Sequence, residues 1–149
     1  MEIEKKFRVN YYPKEVMTCP VKRIKQSYLS ITPEVRLRSV NDEFYLTIKG
    51  EGTILRTENE MKIIEETFLD LISRTIGTTI IKNRFIIKLD DGNTAELDVY
   101  ENPVSAVSVV EVEFLSAVDA DKFIPPDWFG DEVTQEERYK NKNIAMRHF

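Results

Sequence analysis

Eight stretches of this chain alternate charged and apolar residues with a period of two, and the charges on most of them cluster by sign. That period belongs to the β-strand, whose successive side chains point to opposite faces of a sheet. The stretches lie near 1–9, 22–31, 34–40, 43–50, 54–63, 79–89, 93–100 and 107–115. Turn residues separate them at Asn41-Asp42, Gly50-Glu51-Gly52 and Asp90-Asp91-Gly92-Asn93. Helical spacing is confined to 65–75, where Phe68, Leu69, Leu71 and Ile72 group, and to 117–124 and 135–146. For the last of these, Thr134 is the expected N-cap and Glu137 completes a capping box. Short strands at hairpin spacing with few helices predict one mainly β (α+β) domain over 1–149, built as an antiparallel barrel or a strongly curved sheet.

Reading each strand by parity collects the chemistry onto one face. Glu2, Glu4 and Lys6 share a side, opposite Ile3 and Phe7. Arg36 and Arg38 lie opposite Val35 and Leu37, and Thr47 and Lys49 opposite Phe44, Leu46 and Ile48. Arg56, Glu58 and Glu60 form another row, as do Lys82, Arg84 and Lys88. Glu96 and Asp98 face away from Leu97 and Val99, and Glu111 and Glu113 from Val110, Val112 and Phe114. Any one such row is an ordinary water-facing sheet surface. Taken together, acids on some strands and bases on others differ from the mixed signs of a merely soluble surface. If the sheet curls with this face inward, the charges must be hydrated, paired, or occupied by metal and anion, because burying them bare is very costly.

Carboxylates without His or Cys partners suit hard cations such as Mg²⁺ or Mn²⁺. Lys and Arg clusters suit phosphate oxygens. The two together suit a polyanion with several phosphates and a bridging metal. No Gly-rich phosphate loop is present. The single histidine, His148, reads as a surface residue near the C-terminus, and Cys19 beside Pro20 as a small, partly buried residue. A metal-activated water is the remaining nucleophile.

The bulk properties narrow the class further. The net charge of −5 argues against a general nucleic-acid binder. No apolar run reaches the roughly 18 residues of a membrane span. A lone cysteine allows no intrachain disulfide, and the charged opening Glu2-Ile3-Glu4-Lys5-Lys6 is no signal peptide, so a cytoplasmic location is expected. Oligomeric state is left open, with a homodimer allowed.

The opening Glu2-x-Glu4-x-Lys6 resembles the ExExK signature of the CYTH superfamily, the triphosphate tunnel metalloenzymes. The further motifs fall in that superfamily's order along the whole chain: Gln26-Ser27-Tyr28-Leu29, Arg36-Leu37-Arg38, Thr47-Ile48-Lys49, Arg56-x-Glu58-x-Glu60, Lys82-x-Arg84, Glu96-Leu97-Asp98-Val99, Val110-Glu111-Val112-Glu113-Phe114 and Arg138-Tyr139-Lys140-Asn141. The tail from Phe123-Ile124-Pro125-Pro126-Asp127-Trp128 to Asn143 is similar to a short bacterial subgroup of inorganic triphosphatases. The resemblance implies a closed eight-stranded antiparallel tunnel with a few flanking helices, and hydrolysis of tripolyphosphate to pyrophosphate and phosphate. By position it implies Glu2, Glu4, Glu111 and Glu113 as ligands for Mg²⁺ or Mn²⁺, with Asp98 assisting. Lys6, Arg36, Arg38, Lys49, Arg56, Arg84 and Lys140 would grip the substrate. Lys82, Glu111 and Glu113 would serve catalysis, Glu58 and Glu60 would orient basic side chains, and Tyr28 would gate the tunnel. Two alternatives stay open: an adenylyl cyclase or organic triphosphate hydrolase on the same scaffold, and a non-catalytic polyphosphate-binding module.

Overall fold

A computed structural model describes residues 3–50, 58–105 and 107–146. Nine strands form one sheet: β1 Ile3–Val9, β2 Val21–Ser30, β3 Glu34–Val40, β4 Glu43–Lys49, β5 Glu58–Ile63, β6 Ile76–Lys88, β7 Thr94–Asn102, β8 Ser108–Phe114 and β9 Phe129–Glu132. Their spatial order is β5-β4-β3-β2-β6-β7-β8-β1-β9. Every neighbouring pair is antiparallel.

The local reasons are visible in the turns. Val40 pairs with Glu43 across a two-residue turn whose Asn41 takes φ 54°, a region asparagine tolerates. Gly92 takes φ 92° between β6 and β7, where the Asn93 amide donates to Asp91 Oδ1 at 2.9 Å. The turn expected at Gly50-Glu51-Gly52 and the strand portion 54–57 lie outside the described residues, apart from Gly50.

Two expectations of closure and count are corrected. Among the described residues there are nine strands, not eight, and the described sheet is not closed: β5 and β9 stand at its two edges with no pairing between them. The ninth strand is a four-residue segment that follows Pro125-Pro126 and lies against β1. It is too short to show a period.

Helices are few. α1 spans Glu65–Ile72 and buries Phe68, which meets Phe44 of β4 at 4.9 Å between ring centroids. α2 spans Ala117–Lys122 and is capped by Ser116, whose side chain accepts from the Asp119 amide. The continuous helix expected over 135–146 is broken. Glu137–Tyr139 is a 3-10 turn, Lys140 is extended, and α3 covers only Asn141–Ala145. Thr134 does not cap it, because its hydroxyl accepts from the Lys6 amide at 3.0 Å and donates to Glu132 at 2.7 Å. A second 3-10 turn, Lys14–Met17, follows Pro13. No helix among the described residues is long and apolar enough to cross a membrane.

Two apolar clusters hold the sheet on opposite sides. Phe7, Ile87, Leu97, Val110, Val112, Phe114, Trp128 and Phe129 pack on one face beneath α2. Tyr28, Ile80, Tyr100 and Val109 come from the other face, the charged one, and meet Val133, Tyr139, Ile144 and Ala145 of the C-terminal segment. Gly77 makes this docking possible. It has φ 68°, and a Cβ there would lie 2.5 Å from the Ala145 carbonyl oxygen. The C-terminal segment therefore covers one end of the charged face.

Candidate active site

The parity expected from the sequence holds through the register. Glu4 is opposite Glu113 and Lys6 opposite Glu111 across β1 and β8. Glu96 faces Glu111 across β7 and β8, Arg84 faces Asp98 across β6 and β7, and Gln26 faces Arg38 across β2 and β3. Thr47 is opposite Glu60, and Lys49 opposite Glu58, across β4 and β5. Gln26, Arg36, Thr47, Lys82 and Asp98 of this face are all buried. Burial of so many polar side chains on one side of a sheet means that the sheet wraps around that side.

Three zones follow. The first is a carboxylate zone on β1 and β8. Partial desolvation, and then the neighbouring Glu111 charge, push the carboxyl of the solvent-exposed Glu4 up to about 7, with Glu113 adding to the effect. Burial opposes ionisation of Glu111 as well, but Lys6, the hydrogen bond with Glu4 and the Lys82 charge together hold Glu111 below its ordinary value. Lys6 Nζ lies 3.3 Å from Glu111 Oε1 and donates to the Tyr139 carbonyl at 2.9 Å. Carboxylates crowded until one retains its proton present a donor set that a hard divalent cation would relieve. Glu2 lies outside the described residues, and no trio of His, Cys, Asp or Glu among the described ones stands ready-made as a coordination sphere. The oxygen donors fit the expected ion in kind.

The second zone is a clamp centred on Asp98. Arg84 donates to both of its oxygens, through Nε at 2.8 Å and Nη2 at 2.9 Å, and Lys82 Nζ donates to Oδ2 at 2.8 Å. Burial disfavours the charged carboxyl, but Lys82 and Arg84 overcome it and hold Asp98 at about 2. Arg84 is raised despite burial by its bonds to Asp98. Lys82 behaves oppositely: burial pulls it down to about 8, Asp98 counteracts, and Arg84 and Arg38 lower it further. Arg84 has a second carboxylate, Glu96, which accepts from Nη1 at 3.3 Å, whereas Lys82, fully buried, shares Asp98 with the bidentate guanidinium and is the less compensated of the two cations. Asp98, the residue expected to assist at the metal, accepts from cations at both of its oxygens.

The third zone is an arginine pair on β3. Arg36 is buried, and its Nε has no hydrogen-bond partner among the described residues. Its nearest carboxylates, Glu60 and Glu58, stand at 3.9 and 4.0 Å, and its Nη2 reaches Thr47 Oγ1 at 3.4 Å. Arg38 Nε donates to the neutral Gln26 at 2.9 Å. Burial, Arg36 and Arg84 together pull Arg38 down to about 10. Buried guanidiniums without close carboxylates are under-compensated and favour an anion.

Lys6, Arg36, Arg38, Lys82, Arg84, Glu4, Glu111 and Glu113 thus share one face. Lys49 stands at its margin, paired with Glu34 at 3.5 Å. Glu60 accepts from Thr47 at 2.9 Å. Lys140 is not brought in: it pairs with Glu137 at 2.9 Å, both side chains being exposed. Arg56 lies outside the described residues. Tyr28 is buried in the face, beside Arg36 in the register. Gln26, Thr47, Tyr100 and Asn141 were given no role from sequence, because a charge-based parity reading passes over neutral polar residues. The Tyr100 hydroxyl donates to Asn141, linking the face to the C-terminal segment.

No family model matches the chain. Individual proteins do. An inorganic triphosphatase of Nitrosomonas europaea is 44% identical over 150 residues, covering 97% of each chain. One of Acetivibrio thermocellus is 34% identical over 154 residues, covering 99% of this chain and 95% of the relative. A crystal structure of an inorganic triphosphatase superposes with a TM-score of 0.81 at 41% identity, covering 98% of this chain and 95% of that one. On end-to-end identity and a shared sheet, this chain belongs to the inorganic triphosphatase family, within the CYTH superfamily.

Proposed function

We propose that this chain hydrolyses inorganic tripolyphosphate to pyrophosphate and phosphate against the charged face of its sheet. The observation that carries the reading is the pair of buried Arg36 and half-buried Arg38, for which no described residue brings a carboxylate closer than 3.9 Å. A chain of phosphates supplies the oxygens that such guanidiniums lack. The carboxylate zone opposite supports the second half of the reading. Glu4, Glu111 and Glu113, with Glu2, would hold Mg²⁺ or Mn²⁺, which supplies charge neutralisation to phosphate oxygens when bound.

The reaction forms one bond from a water oxygen to a terminal phosphorus and breaks the bridging P–O bond, so that pyrophosphate leaves. Little covalent work falls to the protein, and positioning with charge stabilisation does most of it. Arg36, Arg38 and Arg84 orient the substrate. Lys82, pulled down to about 8, carries a proton that it can deliver to a phosphate oxygen or recover near neutral pH. Asp98 holds Lys82 and Arg84 in place. In this reading the wrapped sheet lines a passage that takes the polyanion lengthwise, as in a tunnel enzyme. A cytoplasmic location accords with the single free Cys19.

The test is phosphate release from tripolyphosphate, ATP, thiamine triphosphate and long polyphosphate, each with Mg²⁺, Mn²⁺ or chelator. Tripolyphosphate should be turned over far faster than ATP, with activity lost in chelator and restored by either ion. A higher kcat/KM for ATP, or formation of cyclic AMP, would replace this reading with an organic-triphosphate enzyme.

A further inference from the structure

We infer that Gln26 is a positioning residue that fixes the direction of two hydrogen bonds and so commits the Tyr28 hydroxyl proton to the substrate. The inference rests on the triphosphate reading of this face. Gln26 is buried between two groups that the proposed reaction needs close to phosphate. Arg38 Nε donates to Gln26 Oε1 at 2.9 Å, and Gln26 Nε2 donates to Tyr28 Oη at 2.8 Å.

The direction of these bonds is forced. A guanidinium N–H only donates, so the Gln26 oxygen must face Arg38. The amide nitrogen then faces Tyr28, and an amide nitrogen only donates. The Tyr28 oxygen is therefore the acceptor, and its own proton must point elsewhere. No acceptor among the described residues takes that proton. Burial pushes the hydroxyl up to about 12, so it stays a donor through the neutral range. Tyr28 is the register partner of Arg36, whose Nε also lacks an acceptor. Arg38 spends Nε on Gln26 and keeps both terminal nitrogens for other partners. A row of donors results: the Tyr28 hydroxyl, Arg36 Nε and the Arg38 fork. A phosphate chain offers several acceptor oxygens and no donors when fully ionised, so it matches this polarity.

Glutamate at position 26 separates polarity from packing. It has the same shape and still accepts from Arg38, but it also accepts from Tyr28, turning the tyrosine proton away from the substrate. The experiment is a double-mutant cycle of Gln26→Glu with Tyr28→Phe, measured as tripolyphosphate hydrolysis, with thermal melts to verify folding. Tyr28→Phe in the wild-type background should lower kcat/KM by about 10-fold, the worth of one hydrogen bond to a charged group. In the Gln26→Glu background it should change kcat/KM by less than about 2-fold, because the donated bond is already gone. Gln26→Met, which adds no charge, is the second background, and there Tyr28→Phe should cost less than in wild type. Equal cost in all three backgrounds, or no cost in wild type, would overturn the inference. A wild-type protein inert toward tripolyphosphate would instead bring down the reading of the site itself.

Discussion

Replacing Asp98 with Asn should unfold much of the molecule's margin while changing no side-chain volume. Asp98 accepts three charge-assisted bonds at 2.8–2.9 Å, two from Arg84 and one from Lys82, in a site where it and Lys82 are fully buried. Asparagine leaves buried Lys82 without its Asp98 counter-ion, leaves Arg84 with Glu96 at 3.3 Å, and turns a donor toward donors. Breaking a buried ion pair from one side costs about 3–5 kcal/mol, a large part of the ~5–15 kcal/mol that holds a domain together. At about 2–4 °C per kcal/mol for a chain of this size, the melting temperature should fall by roughly 6–20 °C. The single tryptophan, Trp128, sits in the opposite apolar cluster and reports unfolding by fluorescence. Lys82→Met is the companion. It removes the less compensated cation, leaves the Arg84–Asp98 pair intact, and should cost less than about 1 kcal/mol in urea titrations, while abolishing most turnover. Added to Asp98→Asn, it should restore part of the lost stability. If Asp98→Asn melts within about 2 °C of wild type, or if Lys82→Met costs as much as Asp98→Asn, the assignment of one carboxylate to two unequal cations is wrong.

Arg38→Ala should raise KM and lower kcat, losing about 10- to 100-fold in kcat/KM for one charge-assisted contact, whereas Glu111→Gln should act mainly on kcat and be partly rescued by excess metal. A pattern in which both variants retain full turnover would remove this face from the chemistry. Glu4 gives a pH signature in metal-free protein: its folded value of about 7 exceeds the ordinary 4.5, so the folded state holds a proton that the unfolded chain releases. Its contribution to stability is complete below about 4.5 and is lost as pH rises through about 7. The melting temperature of wild type relative to Glu4→Gln should therefore decline across that window, and a pH-independent difference would refute the crowded-carboxylate picture.

Strand existence and facing were legible in the sequence because alternation is a local property. Arg36 and Arg38, Lys82 and Arg84, and Glu111 and Glu113 all fall on the predicted face. What the alternation does not carry is which charges satisfy one another. Asp98 reads as one more carboxylate until its register opposite Arg84 is known. The C-terminal segment failed for a related reason. Thr134 and Glu137 spell a capping box, but the Thr134 hydroxyl is taken by Lys6 of β1 and by Glu132. The Tyr139 carbonyl accepts from Lys6 as well, and the chain is extended at Lys140 before α3 begins. A residue more than a hundred positions away thus overrides the local helix signal, and no window of the sequence contains that competition.

The position of β1 has a consequence for how the molecule is made. Within β2 to β5 and within β6 to β8 each strand pairs with a sequence neighbour, so those hairpins can close as they emerge during synthesis, and β6 joins the two groups by crossing back to β2. β1 cannot, since Ile3 pairs with Phe114 and the other side of the strand is closed by β9. The strand made first is seated only after β8 has emerged, and β9, which pairs with β1 alone, follows it. Loop closure over more than a hundred residues is slow relative to hairpin formation, and Glu4 and Lys6 travel with that strand. The basic half of the face can therefore assemble while its acidic half is still incomplete, and the nascent chain passes through a stage in which it holds cations ready for phosphate before it has the carboxylates that complete the site.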